Sequence, residues 1–302
     1  MNFITDPNYL PFILVWSAIF AALIGSFLSV CIFRIPYGRV DEYGEEELPE
    51  GSVQHQQKAE NVPQKTYGIN SPPRSFCPKC EKQLYWWHNI PIISWLILGG
   101  KCYFCKQPIP ARYPIVELLS VLSAVICISQ FGPTPTAVLM YIFLCSLIVM
   151  SFIDIDYYII PDSISIGGTV VGLAIGTVNQ FYHIFKYPVS DSFVVSILGV
   201  LTGGGILFAV AELYLKLRKI EGLGMGDVKL LAFIGAMFGA ECAFYTIFLG
   251  SFIGSIIGGV MMLVKGKNLT YQIPFGPYLA LGSVIYLFCQ PLVQWLMGFL
   301  TI

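Results

Sequence analysis

The sequence predicts an all-α, polytopic membrane protein of about eight transmembrane helices, with a small cytoplasmic domain inserted between the first and second. Three observations lead to this prediction. Of the 302 residues, 56% are hydrophobic and only 12% are charged, whereas about a quarter of the residues in soluble domains are charged. The apolar residues form runs long enough to cross a bilayer. The one long polar segment directly follows the first run.

A helix needs about 20 apolar residues to cross the hydrocarbon core. The first run has no basic segment before it and no small-residue cleavage site, so we expect a retained span and no cleaved signal. The sixth and seventh runs are nearly continuous, and a break at residues 239–241 must carry the turn between them. The predicted spans are residues 10–33, 115–131, 136–153, 163–181, 193–215, 228–245, 246–264 and 278–300.

The basic residues predict the orientation of these spans. With eight spans, the loops containing residues 34–112, 216–229 and 265–267 lie on one side and hold 16 of the 17 Lys and Arg residues; only Lys186 lies opposite. Basic residues mark the cytoplasmic side. We therefore expect a multi-pass protein of the cytoplasmic (inner) membrane with both termini outside.

Four cysteines in the polar segment form two C-x-x-C pairs, Cys77 with Cys80 and Cys102 with Cys105. Their spacing is typical of a closed tetrahedral Zn²⁺ site. The alternatives are two disulfides, which a reducing cytoplasm disfavours, free thiols, and a redox motif, which needs only one pair. His88 is a further candidate ligand, although a packing role is simpler. The sequence thus predicts a small zinc-bound cytoplasmic domain.

The predicted domains are a first transmembrane span over residues 1–33, a cytoplasmic domain with the four-cysteine zinc site over residues 34–112, and a transmembrane domain of about seven spans over residues 113–302. Residues 37–75 are polar and rich in acidic residues, so we expect a cytoplasmic insertion there.

Acidic residues at the ends of apolar runs are costly in a membrane and are usually functional. Asp154 closes the third span and Asp227 opens the sixth, so both lie at one depth on the cytoplasmic side. Asp156 lies two residues after Asp154 and faces another way on a helix, so only one of the two should meet Asp227 directly. Gly224 and Gly226 would allow a substrate backbone to approach closely.

Two carboxylates in contact cannot both ionise easily, so such a pair can share one proton. One carboxylate then takes a proton from water while the other polarises an amide carbonyl. The simpler explanation for Asp227 is stabilisation by the helix dipole. Likewise, Asp162 is predicted to be the N-cap of the fourth span. The matched depth of Asp154 and Asp227, together with the glycine pair, favours catalysis.

The motif FIDIDYYIIPD, followed about 70 residues later by GMGD, resembles the two-aspartate signature of the type IV prepilin peptidases, the G-x-G-D class of membrane aspartic proteases. The segments GSFLSVCIFRIP, PPRSFCPKC, WHNIPIISWLILGGKCYFCKQPIPARYPIVELL and IPFGPYLALG are similar to this family in the same order. The resemblance covers nearly the whole chain. Ser29 stands where the family usually has Asn.

The resemblance implies an aspartic endopeptidase that removes the short basic leader of type IV prepilins and pseudopilins at the cytoplasmic membrane face. Asp154 and Asp227 match the catalytic aspartates, and Asp156 matches a supporting carboxylate. The cysteine cluster accompanies bifunctional members, which also N-methylate the new N-terminal residue with S-adenosylmethionine. The residues that bind this methyl donor are not assigned. The expected partners are the prepilin substrates and membrane lipid, and we expect no nucleic-acid partner.

Three other classes of protein could carry some of these features. A transporter would place its carboxylates nearer the midplane and show inverted repeats. A protease of the presenilin or signal-peptide-peptidase type shares G-x-G-D, but it has a Tyr before its first aspartate, where Ile153 precedes Asp154 here. A scaffold of a pilus or secretion assembly would not need either aspartate.

Overall fold

The computed structural model describes residues 9–36, 75–77, 79–219, 224–265 and 273–289. These residues form two compact units, which divide between residues 149 and 150. Within the described ranges the only β structure is a pair of isolated bridges. The helices are α1 (Leu10–Arg34), α2 (Ile93–Ile97), α3 (Arg112–Phe131), α4 (Pro135–Tyr157), α5 (Asp162–Tyr182), α6 (Phe193–Arg218), α7 (Met225–Lys265) and α8 (Gly276–Phe288).

The predicted fold class is confirmed. Six helices, α1 and α3 to α7, are long and apolar enough to cross a membrane. Large apolar side chains remain exposed on them, as lipid-facing residues of a membrane protein should; on α1, Phe12 and Phe20 are 64% and 65% exposed. The predicted insertion lies outside the described residues except for Ser75, and so does the end of the predicted eighth span.

The long helix α7 contains the turn that the sequence predicts between the sixth and seventh spans. Its 41 residues would extend roughly 60 Å as a straight helix, about twice the thickness of the hydrocarbon core. Gly239 interrupts it with φ 84° and ψ 179°, a conformation that is essentially restricted to glycine.

The chain reverses direction at Gly239. A Cβ atom on Gly203 of α6 would contact the Leu231 carbonyl and lie 3.2 Å from the Ala243 Cβ. Residues twelve positions apart in a straight helix are separated by roughly 18 Å, so Leu231 and Ala243 can meet at one point only if the helix folds back. The predicted turn within residues 239–241 is therefore present.

Small residues allow the helices of the second unit to pack closely. Gly199 of α6 lies against the backbone of Gly235, and a Cβ on Gly172 of α5 would lie 2.8 Å from the Ala236 Cβ. In the part of α7 after Gly239, a Cβ on Gly282 of α8 would lie 2.9 Å from the Gly250 nitrogen. Small interfacial residues are the usual means of bringing membrane helices together, and here they surround α7.

In the first unit, α1 and α3 meet in the same way. A Cβ on Gly25 would lie 2.7 Å from the Glu117 Cα. The Ser120 hydroxyl donates a 2.8 Å hydrogen bond to the carbonyl of Ala21. This contact places Glu117 of α3 directly against α1.

Candidate active site and metal centre

The two carboxylates predicted to form the catalytic pair both lie in the second unit and are both buried. Asp154 is in the last turn of α4 and 5% exposed, and Asp227 is in the first turn of α7 and 8% exposed. The ends of the helices that carry them meet around Ile160. Burial of two like charges near each other is unfavourable when both are ionised, so this arrangement suits a pair that holds one proton.

A backbone N–H group at the start of α8 fixes the Asp154 carboxylate. Gly276 is the first residue of α8, and its N–H donates a 2.9 Å hydrogen bond to Oδ2 of Asp154. The first N–H groups of a helix lack partners inside it and form the positive end of its dipole. Gly276 was not predicted as a site residue, although it lies in the segment IPFGPYLALG that carries part of the resemblance.

The side chain of Ile160 packs against a glycine next to each carboxylate of the pair. A Cβ on Gly226, the residue before Asp227, would lie 3.1 Å from the Ile160 Cβ. A Cβ on Gly276, which binds Asp154, would lie 3.2 Å from the Ile160 Cδ1. Ile160 is itself buried. This shared contact brings the starts of α7 and α8 together beside the end of α4.

The other predicted site residues occupy different positions around the pair. Gly224 is exposed, and its carbonyl accepts a 3.2 Å hydrogen bond from the Asp227 N–H. Gly226 packs against Ile160, as described above. Asp156 is half-buried and so lies on a different face of α4 from the buried Asp154, as their spacing predicts.

Asp162 does not have the position predicted for it. Pro161 occupies the N-cap with an extended backbone, and Asp162 is the first residue of α5. Its carboxylate accepts a 2.8 Å hydrogen bond from the Lys229 Nζ. The side chain thus reaches across to the first turn of α7 instead of capping its own helix, and this ion pair joins the starts of α5 and α7 close to Asp227.

The four predicted zinc ligands come together in the first unit. The sulfurs of Cys77, Cys80, Cys102 and Cys105 all lie within 4.8 Å of one another, and none forms a disulfide. The Cys77 and Cys105 sulfurs are 3.8 Å apart. Four thiolates around a tetrahedral Zn²⁺ at about 2.3 Å are separated by about 3.8 Å. The cluster can therefore hold a metal ion.

The two C-x-x-C pairs have the same local backbone structure. An isolated bridge closes each loop, Phe76 with Gln83 and Lys101 with Pro108. The fourth residue after the first cysteine of each pair has a left-handed backbone, with φ 56° at Glu81 and 59° at Lys106. These residues donate their N–H groups back to the carbonyls of Cys77 and Cys102, respectively.

Backbone N–H groups point at the first sulfur of each pair. Burial raises the pKa of the Cys77 thiol to about 12, although the N–H groups of Cys80 and Lys79 donate to it. At Cys102, burial is outweighed by the N–H groups of Cys105 and Phe104 and by neighbouring thiols, and the pKa falls to about 7. A divalent cation among the four sulfurs would favour the thiolate form of each.

His88, the alternative ligand, is not part of the sulfur cluster. Its Nδ1 accepts a 3.3 Å hydrogen bond from the Tyr85 N–H, and the side chain is buried. The imidazole packs among aromatic rings, which are those of Tyr85, Trp87, Tyr103 and Phe104. It therefore occupies the packing position that was the simpler of the two interpretations.

Comparisons with known proteins place this architecture in a family. The bacterial peptidase A24 N-terminal domain matches residues 19–131, and the type IV leader peptidase family matches residues 141–259. A prepilin leader peptidase/N-methyltransferase of Legionella pneumophila is 31% identical, over 97% of this chain and 97% of the relative. A relative with the same name from Pseudomonas aeruginosa is 34% identical, over 88% of this chain and 86% of the relative. Another from Aeromonas hydrophila is 31% identical, over 92% of this chain and 91% of the relative. No solved structure matches.

The fold and the site define a polytopic helical membrane protein with a buried pair of carboxylates and a four-cysteine cluster that can hold a metal ion. The chain belongs to the type IV leader peptidase family. The resemblance predicted from the aspartate motifs is thereby confirmed.

Proposed function

We propose that the chain is a bifunctional prepilin-processing enzyme of the inner membrane. Asp154 and Asp227 form an aspartic protease dyad that removes the basic leader of prepilins and pseudopilins at the cytoplasmic face. The enzyme then N-methylates the new N-terminal residue with S-adenosylmethionine. The four-cysteine cluster binds a structural Zn²⁺. Membership of the family supports both activities, and the relatives cited above carry both in their name.

One observation supports the assignment of the dyad most strongly: two carboxylates from different helices are buried around the same side chain, Ile160, and a backbone N–H orients one of them. Burying two carboxylates together lowers stability, and a purely structural role gives no reason to keep both. The Asp162–Lys229 ion pair nearby shows the ordinary structural use of a carboxylate in this fold.

The chemistry follows from a pair that holds one proton. The ionised carboxylate takes a proton from a water molecule, whose oxygen attacks the carbonyl carbon of the scissile peptide. The protonated carboxyl donates a hydrogen bond to the carbonyl oxygen, which gains negative charge. Collapse of the tetrahedral intermediate breaks the C–N bond, and the leaving nitrogen takes up a proton from the pair. Both carboxyls are required, and together they can supply a rate factor of about 10²–10⁴.

The test compares the wild type with Asp154→Asn and Asp227→Asn in detergent, with a prepilin as substrate and intact mass as the readout. Each variant should lose leader cleavage by at least about 10²-fold, because asparagine cannot share or transfer the proton. Asp191→Asn removes an exposed carboxylate between α5 and α6 and serves as the control.

Cleavage at the wild-type rate by either variant would disprove the dyad. The same reaction with S-adenosylmethionine tests the second activity, because the mature product should then gain the mass of one methyl group. If the mature substrate never gains this mass, the protease assignment still stands and the methyltransferase assignment is rejected.

A further inference from the structure

A partly open cavity of about 230 Å³ lies within the first unit. Its walls come from the end of α1, the cysteine-containing loops and the start of α3, so every lining residue belongs to one compact unit. Ligand pockets usually begin at about 300 Å³. The cavity would therefore enclose part of a cofactor-sized ligand and leave the remainder at its mouth.

Glu117 lines this cavity and is buried, at 8% exposure. Its Oε2 accepts a 2.6 Å hydrogen bond from the Ile92 N–H, and the Ser26 side chain also hydrogen-bonds the carboxylate. A carboxylate has about four acceptor positions, so capacity remains for another donor. Within the described ranges no Lys, Arg or His forms an ion pair with Glu117. A buried carboxylate without a cation is unfavourable, and a positively charged ligand would compensate it.

The backbone that holds Glu117 is strained. Ile92 has φ 61° and ψ −53°, and the Ile93 N–H donates to the Pro91 carbonyl at 2.5 Å. Together they form a γ-turn with positive φ, which is rare and costly for a β-branched residue. This turn aims the Ile92 N–H at the Glu117 carboxylate. Strain of this kind is concentrated at ligand and active sites.

A second buried polar group lines the same cavity. His88 is 7% exposed, and its Nε2 has no hydrogen-bond partner among the described residues. Because Nδ1 accepts a hydrogen bond from the Tyr85 N–H, the neutral imidazole carries its proton on Nε2. Burial also lowers the pKa of His88, which favours this neutral form. Nε2 itself is enclosed, so His88 shapes the wall of the cavity but does not present this proton to its interior.

The remaining walls combine aromatic rings with positive charge. Trp95, Tyr103 and Tyr113 line the cavity, and the Trp95 Nε1 is held by a 3.2 Å hydrogen bond to the Ile109 carbonyl. Aromatic faces attract cations and stack on planar bases. Arg34 and Lys79 also line the cavity, and their charges suit a ligand carboxylate.

From these contacts we infer that this cavity is the methyl-donor site, in which Glu117 faces the sulfonium of S-adenosylmethionine. The inference rests on the proposed methyltransferase function and adds the location of its site. The donor is a cationic sulfonium that also carries an ammonium, a carboxylate and a planar base. The Glu117 carboxylate complements the sulfonium, the cationic side chains complement the donor's carboxylate, and the aromatic rings complement the base.

When bound, the donor supplies a methyl group to the amine of the new N-terminus. The amine lone pair would form the new C–N bond while the C–S bond breaks with its electrons left on sulfur. The resulting ammonium would then lose a proton to water. Glu117 holds the positive charge that this transfer removes. The cavity should therefore bind S-adenosylmethionine more tightly than S-adenosylhomocysteine, the product in which the sulfur is a neutral thioether.

The test measures the affinity of both compounds for the full-length, zinc-loaded protein by calorimetry in detergent. Glu117→Gln keeps an acceptor for the Ile92 N–H and removes only the charge. It should weaken S-adenosylmethionine binding roughly tenfold or more, while binding of S-adenosylhomocysteine changes much less and reports an intact cavity. Glu212→Gln, on the surface of α6, is the charge-matched control and should alter neither affinity.

The possible outcomes separate this inference from the function on which it rests. A wild type that binds neither compound would reject the methyltransferase and its site together. If the wild type binds tightly but Glu117→Gln weakens the binding of both compounds equally, or of neither, the assigned role of Glu117 is overturned. The methyltransferase assignment then still stands.

Photochemical crosslinking of methyl-labelled S-adenosylmethionine to the wild type gives a measurement that does not depend on mutation. We expect label on peptides that contain Trp95, Tyr103 or Tyr113. Label found solely on residues after 149 would place the donor in the second unit and overturn the inference.

Discussion

At the scale of single residues, Asp154 has an unusual electrostatic position. It lies in the last turn of α4, where the helix dipole disfavours a negative charge. The first N–H of α8, donated by Gly276, offsets this disadvantage. Asp227 instead lies in the first turn of its own helix. Both carboxylates are therefore stabilised by the positive end of a helix. For Asp227 this is its own helix, α7, and for Asp154 it is α8, through a residue 122 positions later in the chain.

Replacing Gly276 with alanine tests the importance of this contact. The new Cβ would lie 2.8 Å from the Asp154 Oδ2 and 3.2 Å from the Ile160 Cδ1, so the carboxylate must move. A displacement of about 1 Å can cost about 10²-fold in rate, and we expect a fall of this order in kcat/KM for leader cleavage. Gly205→Ala on α6 is the matched control, because a Cβ there meets no atom within 4 Å. Equal loss of activity in both variants would contradict the prediction.

Sequence reasoning could identify Asp154 and Asp227 because rare carboxylates at the ends of apolar runs are conspicuous. It could not identify the contact of Asp154 with Gly276, since a backbone N–H leaves no side-chain signal and its partner is remote in the chain. The environment of Glu117 could not be predicted from the sequence for the same reason, because its hydrogen bond comes from the Ile92 backbone. The N-cap prediction for Asp162 failed by one residue, because the preceding proline takes that position.

At the scale of elements, the spacing of the cysteines predicts only part of the structure of the segment that contains them. The two C-x-x-C pairs predicted a four-sulfur cluster, and the sulfurs do converge. The pattern did not predict the aromatic packing around His88, which depends on how the segment between the pairs folds back. The described residues between 75 and 111 bury few apolar side chains, and small domains of this kind commonly rely on a metal for stability.

Removing one ligand from the cluster should therefore lower both metal content and stability. We expect Cys102→Ser to retain less zinc than the wild type by elemental analysis, and to unfold at a lower temperature, because metal binding contributes to the free energy of folding. Cys289→Ser replaces an exposed cysteine at the end of α8 and should retain the wild-type zinc content. Equal zinc in Cys102→Ser and the wild type would show that this sulfur is not a ligand.

At the scale of the whole molecule, the reversal at Gly239 affects the topology. If α7 were a single span, the loops before and after it would lie on opposite sides, and the basic residues at 265–267 would face away from those at 216–229. A chain that turns back at Gly239 would return to its starting side, which would keep the basic residues together. The fold of α7 and the charge distribution thus support the same arrangement independently.

This arrangement predicts the sidedness of each loop. Transferring Lys and Arg across the membrane is disfavoured, so the loop with Lys186, between α5 and α6, should face the outside, and the loop after Lys219 should face the cytoplasm. Alkaline phosphatase, which is active only outside the cytoplasm, should be active when fused after Lys186 and inactive when fused after Lys219. The opposite pattern would invert the membrane orientation and place the buried aspartates away from the cytoplasmic leader, so it would contradict the proposed site of cleavage as well.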